Sequence, residues 1–181
     1  FATAVALVIL GGVAHAADPQ QWIGTGDRKL DSTLKEMDAQ AKGDPDGFLK
    51  QLSAKYGTPE QELRQARETH ALGAGDLYMA TAMARATNRS VLGVAEQYRK
   101  NHAKGWGVMA KEMGIKAGSR EFQALKKGAQ GSLEQVRARN RAREHHEGTV
   151  QRAQEKKAEQ EGLGEGKGES RGGGKGPGRV R

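Results

Sequence analysis

Few residues of this chain could do chemistry, and their spacing is poor for it. His145-His146-Glu147 is the densest group of metal-ligand types. Neighbours on a helix point about 100° apart, whereas a metal pair needs side chains three or four positions apart. No histidine lies at either spacing from His145 or His146, so the pair offers adventitious nickel or zinc binding rather than a built site. His70 and His102 stand alone. A phosphate-binding loop needs Gly, four residues, then Gly-Lys-Ser/Thr. At Gly166-Lys167 the flanking positions are Glu161 and Gly168, and at Gly174-Lys175 they are Glu169 and Gly176, so both fail twice. There is no Gly-x-Ser-x-Gly elbow. Ser90 and Ser119 sit where helix N-caps are needed, and Asp27, Asp31 and Asp38 alternate with Arg28, Lys29 and Lys35 in an ordinary solvated pattern. Cysteine is absent, which removes disulfides, thiol catalysis and Cys-bound clusters. The expectation is a protein that is not an enzyme and holds no metal or cofactor.

Charge points to binding instead. The 181 residues carry 30 Lys and Arg against 22 Asp and Glu, a net charge of +8. Residues 1–119 account for +2 and residues 120–181 for +6. The excess lies on the C-terminal part, which reads either as a solvated terminus or as an electrostatic tether to anionic envelope polymer or nucleic acid. The candidate binding residues are Arg120, Lys126, Lys127, Arg137, Arg139, Arg141 and Arg143, together with Trp106. The indole of Trp106 is flanked by Gly105 and Gly107; it either plugs a tight interhelical gap or lies partly exposed against a ligand.

The elements that must position these residues are helices. Leu30, Leu34, Met37 and Ala41 recur at helical spacing before Gly43. Asp44-Pro45 supplies an N-cap with Pro at N1 ahead of Phe48, Leu49, Leu52 and Tyr56. Thr58-Pro59-Glu60-Gln61 reads as a further start with a capping box, and Asp76 as the cap of a helix holding Leu77, Ala80, Met83 and Ala84. Ser90 opens a helix with Val91, Val94, Ala95 and Tyr98. The helix of Trp106, Met109, Ala110 and Met113 is closed by Gly114, with Ile115 as its hydrophobic C″ contact. Ser119 caps a short helix holding Phe122 and Leu125. No stretch alternates apolar and polar over strand length, so the fold class is all-α: a small bundle of short helices, a polar helix and a disordered Gly/Lys/Arg-rich tail.

Large apolar residues mark the boundaries. Residues 27–128 hold 24 of them and residues 129–181 only five. The expected organisation is a linker at 17–26 containing Trp22, a helical domain at 27–128, a polar basic helix at 129–161 interrupted at Gly148, and a tail at 162–181. Nine glycines in that last stretch of twenty bury too little to offset the entropy of ordering. Residues 1–16, FATAVALVILGGVAHA, carry no charge and end in the small-x-small Ala14-His15-Ala16, as a signal peptide does before its cleavage site. The run is too short to span a bilayer, which takes about 20 apolar residues. With no initiator Met and no basic n-region, a few residues are expected to be missing from its start. The alternative is a buried helix of a cytoplasmic protein. The signal reading makes the mature chain periplasmic or secreted, without a transmembrane span.

Two resemblances follow from the middle of the chain. Ala110 followed four residues later by Gly114, with Ser119–Lys127 beyond, resembles a helix-turn-helix DNA reader in which Arg120, Gln123, Lys126 and Lys127 would face the duplex. Lys116-Ala117-Gly118-Ser119, added after Gly114-Ile115, makes the turn longer than the usual three or four residues, so Phe122 and Leu125 fall out of register. More broadly, DLYMATAMA (76–84), VAEQYRK (94–100) and KGWGVMAKEMGIKAGSREFQALKKG (104–128) resemble a group of uncharacterised secreted bacterial helical proteins with a Gly-Trp-Gly helix start and a Gly-Ile-Lys-x-Gly-Ser turn. This covers about fifty residues, under a third of the chain. It implies an exported helical protein and brings no catalytic residue with it. The sequence thus predicts a non-catalytic interaction protein for an anionic polymer or a protein of the cell envelope, with nucleic-acid binding as the alternative.

Overall fold

A computed structural model describes residues 24–165. The signal segment, Trp22 and the tail beyond residue 165 lie outside the described residues. Within them the chain is all-α, in the order α1 (Arg28–Ala41), α2 (Pro45–Tyr56), α3 (Glu60–His70), α4 (Ala74–Thr87), α5 (Val91–Asn101), a 3₁₀ turn (His102–Lys104), α6 (Gly105–Glu112) and α7 (Arg120–Glu165). The chain divides into two compact units, the first ending at Arg137 and the second beginning at Ala138.

In the first unit the helices pack around α4. Residues Gly75 to Ala84 are all buried, as expected of a helix that is apolar on every side. It packs against α1, α2, α3 and α5, and α6 adds to the group through α5. Leu34, Met37, Leu49, Leu52, Leu63, Leu77 and Val94 lose essentially all contact with solvent. Burying each such side chain contributes about 1.5–3 kcal/mol.

The helix ends follow local chemistry. Asp27 Oδ1 accepts from the Leu30 amide at 2.9 Å and Asp44 Oδ1 from Gly47 at 2.9 Å. Ser90 Oγ accepts from Gly93 and Ser119 Oγ from Phe122. After α6, Gly114 takes φ +87, its amide donates to Lys111 and the Ile115 amide donates to Ala110 at 2.8 Å. That is a Schellman stop, with Ile115 buried as its apolar contact. Two expected starts differ. The cap of α3 is Pro59, with no side-chain cap bond and no capping box. That of α4 is Gly73, because the amides of its first turn are claimed from α1: Asp38 Oδ1 accepts from Gly75 at 2.8 Å.

The expected boundary at Gly128 also moves. Residues 119–127 are not a separate short helix; they open α7, which runs on through Gly148 to Glu165 without a break. Its first turns belong to the bundle, with Phe122, Leu125, Ala129, Ser132, Leu133 and Val136 buried. Helix α2 and α4 grip it through polar groups as well. Lys55 Nζ donates to the Gly128 carbonyl at 2.7 Å and to Ser132 Oγ at 2.8 Å, Gln51 donates to the Ser132 carbonyl, and the Tyr78 hydroxyl donates to the Leu125 carbonyl at 2.7 Å. Leu133 and Val136 are legible in the sequence as a docking edge, but the rest of the contact is not, because small Ala129 and Ser132 carry part of it.

The second unit is the remainder of α7. From residue 141 to 159 every side chain but that of Gly148 is exposed. Among the described residues no helix is long and apolar enough to cross a membrane.

Candidate functional site

Three places could hold the candidate residues: the surroundings of Trp106, the start of α7, and the helix beyond Ala138.

Trp106 is wholly buried, which corrects its place among surface binding residues. Its ring stacks on Tyr98 at 3.8 Å between centroids and 11° between planes. Its Nε1 donates to Asp76 Oδ1 at 2.6 Å. The flanking glycines are the reason it fits. A Cβ on Gly107 would stand 2.4 Å from the Thr25 carbonyl oxygen, closer than real contacts come. The Gly107 amide donates to the Gly24 carbonyl at 2.8 Å, and Thr25 is itself tied to Asp31 Oδ1 through its amide and hydroxyl. Trp106 plugs the bundle.

Asp76, read from sequence as a helix cap, is instead the acceptor at the centre of this network and 2% exposed. Burial is the main reason its carboxyl is pushed up to about 6; the nearby Asp38 carboxylate adds to this, and hydrogen bonds from Trp106 and Tyr98 oppose it. Asp38, read as part of a solvated pattern, is 7% exposed and also raised by burial, against the pull of the Gly75 and Ala74 amides and of Lys42. Its position was legible in retrospect: it lies four residues after Leu34 and three before Ala41, on the apolar stripe of α1.

At the start of α7 the basic residues do not form one surface. Arg120 and Lys127 are exposed. Lys126 Nζ contacts Asp27 Oδ2 at 2.5 Å, and this hydrogen bond is the main cause that holds the Asp27 carboxyl below its ordinary value. Arg137 is bound to Glu36 of α1 through both Nε and Nη2. Two of the expected binding cations are therefore engaged within the bundle. Ala110, Ile115, Phe122 and Leu125 are all buried and belong to the one apolar core of the bundle.

Beyond Ala138 the arrangement is different. At 100° per residue, Arg139, Arg143, His146, Val150 and Lys157 fall within about 60° of one another on α7. They follow a spacing of four, three, four and seven, with Ala153 filling the remaining position. From Arg139 to Lys157 no carboxylate occupies this face; Glu161, the next position in register, ends it. Glu147 stands at its edge, 3.9 Å from Arg143, while Glu144, Glu155 and Glu159 lie on the other side of the helix. Arg141 falls among those carboxylates, so the sequence-predicted run of arginines separates: Arg139 and Arg143 belong to the basic face, Arg137 and Arg141 do not. His146, Val150 and Lys157 are members that reading by local charge missed, and helical spacing is the signal that finds them. His145 points away from this face, and among the described residues no group of three His, Asp or Glu side chains could hold a metal ion.

No known protein family, curated protein or solved structure matches the chain.

Proposed function

We propose that this is a non-catalytic interaction protein exported from the cell, which holds an anionic polymer of the cell envelope along the basic face of α7. The observation that carries the reading is the basic face of exposed Arg143, His146 and Lys157, begun by half-buried Arg139, with no carboxylate between positions 139 and 157 of that face. A helix that needed only to stay solvated would mix both signs on every side. The polyanion is favoured over a folded acidic protein because the face is narrow, has Val150 as its only large apolar member, and lacks the aromatic anchors that carry most protein interfaces. The charge-free, apolar residues 1–16 and the resemblance of residues 76–127 to secreted helical proteins support export.

Linear polyphosphate is a suitable probe. Two triple variants change the net charge equally: Arg139→Glu, Arg143→Glu and Lys157→Glu on the basic face, and Arg141→Glu, Arg152→Glu and Lys156→Glu on the mixed side. Each phosphate contact contributes about 0.7 to the slope of log affinity against log salt for a flexible chain, so losing three flattens that slope by about 2. The first variant should lose affinity and slope; the second should keep most of both. Equal losses in the two would reduce the effect to net charge and end the reading. Fractionation of cells with N-terminal sequencing tests export, and recovery of the intact chain from cytosol would refute it. Tight duplex DNA binding lost in Arg120→Glu with Lys126→Glu would replace this reading with the helix-turn-helix one.

A further inference from the structure

Between α1, the start of α2, the end of α3 and the start of α4 lies a cavity of about 250 Å³. Its walls are mostly apolar: Ala41, Pro45, Phe48, Leu72 and Leu77, four of them core residues. Three charged side chains also line it, Asp38, Lys42 and Arg67. Asp38 is turned onto the first amides of α4, with Oδ1 2.8 Å from the Gly75 nitrogen, so the anion-binding end of that helix is already satisfied from within. Lys42 and Arg67 are held less closely: Lys42 pulls on the Asp38 carboxyl without forming an ion pair with it. Lys42 is exposed and Arg67 half-buried, and neither has a carboxylate within ion-pair distance among the described residues. The cavity therefore combines an apolar interior with two cations against one engaged carboxylate. That charge pattern complements a single negative head on an apolar body.

Volume limits the body. At about 30 Å³ for each water-sized group, the space takes about eight heavy atoms. We propose that this cavity binds a free short-chain carboxylate of about six to eight carbons, its carbon chain filling the space between Phe48, Leu72 and Leu77 and its two oxygens, outside that count, meeting Lys42 and Arg67. The long acyl chains of membrane lipids exceed the space. An alkyl ammonium of the same length would meet two like charges at the head position. The proposal concerns the first unit alone and is independent of the basic face of α7.

Isothermal titration of the full chain with butanoate, hexanoate, octanoate and decanoate tests it. Each added methylene should tighten binding about three- to fourfold as far as octanoate, then level off as the cavity fills. Octylamine should bind far more weakly than octanoate. Lys42→Ala combined with Arg67→Ala should weaken octanoate at least about tenfold while leaving 1-octanol within about twofold, because only the charged head is affected. Retained octanol binding shows that the cavity is intact, and Arg67→Gln, which disturbs packing less, should shift octanoate in the same direction. Absence of saturable octanoate binding into the millimolar range, equal binding of octylamine, or octanoate affinity unchanged in Arg67→Gln and the double variant would each overturn the assignment.

Discussion

Replacing Asp76 by Asn should change how stability depends on pH, with a sign that the buried network fixes in advance. In the unfolded chain the Asp76 carboxyl titrates near 3.8, and in the bundle it is pushed up to about 6, chiefly by burial. The folded state therefore holds this proton more tightly than the unfolded state. Between those two values the folded chain binds more protons, so the contribution of Asp76 favours folding at low pH and is lost as pH rises through 6. At 1.36 kcal/mol per unit, the gap comes to about 3 kcal/mol. Asn keeps the side-chain oxygen that accepts from Trp106 Nε1 and has no proton to lose. Tyr98 can turn its hydroxyl to accept from the new amide. Urea denaturation of the two proteins from pH 4 to pH 8 is the assay. Shifts of Asp27, Asp38, Glu96 and Glu121 also shape the stability curve, but they are largely common to both proteins, so the difference between the curves isolates Asp76. That difference should be near zero at pH 4 and rise in favour of the variant to as much as about 3 kcal/mol above pH 7. Parallel curves would mean that the Asp76 carboxyl titrates normally and is not desolvated by Tyr98 and Trp106.

Three further substitutions test the local arguments. Ala71 caps α3 with φ +50 and is exposed; the left-handed conformation costs an L-residue about 1–2 kcal/mol and glycine gives back about 0.5–1 through unfolded-state entropy, so Ala71→Gly should stabilise the fold by about 0.5 kcal/mol. Gly107→Ala places a Cβ against the backbone of Thr25, and overpacking of this kind costs about 1–3 kcal/mol, readable as a lower denaturant midpoint at constant m. Lys126→Met removes the hydrogen bond that depresses Asp27, so a carbon-detected NMR titration should find the Asp27 carboxyl higher in the variant than in the parent; an unchanged titration would mean that the ion pair does not persist in solution.

Much of the fold was legible because short helices punctuated by Asp-Pro, Ser and Gly leave strong local marks. The Asp44, Ser90, Ser119 and Gly114 signals each mark a real helix end. What was not legible had been settled by distant residues. Asp76 looks like a cap because it precedes an apolar run, yet the helix already starts at Ala74, with Asp38 of α1 accepting from the Gly75 amide, and the Asp76 side chain accepts from Trp106 instead. The true extent of the bundle was hidden in the same way. Ala129 and Ser132 have little apolar area to announce burial, and the groups that hold α7 there, Gln51 and Lys55, are polar residues of a helix more than seventy residues away. For the candidate site, composition located the basic segment, but only the helical period could sort its arginines by face, and that period is usable only once residues 120–165 are one helix.

The register of that helix bears on whether the basic face is functional or merely solvated. In sequence, the buried positions Phe122, Leu125, Ala129, Ser132 and Val136 advance by three, four, three and four. Arg139, Arg143, His146, Val150, Ala153 and Lys157 continue the same alternation without a slip. Residues at these positions are apolar or small while the bundle covers them, and basic, small or apolar afterwards. At none of the eleven is there a carboxylate, although α7 carries Glu at 121, 134, 144, 147, 155, 159, 161 and 165, and Glu161, four residues after Lys157, closes the face. Solubility gives no reason for this, since acidic residues serve it at least as well as basic ones. Helix stability gives none either, because pairs of opposite charge three or four apart would favour mixing along the face. A stretch from residue 139 to 157 kept clear of one sign, on a helix that uses that sign freely elsewhere, is the pattern on which the proposed contact with an extended anion rests. The helix fixes the spacing of Arg139, Arg143 and Lys157, so under the proposed function that spacing can be matched, or mismatched, by the charge spacing of a polymer.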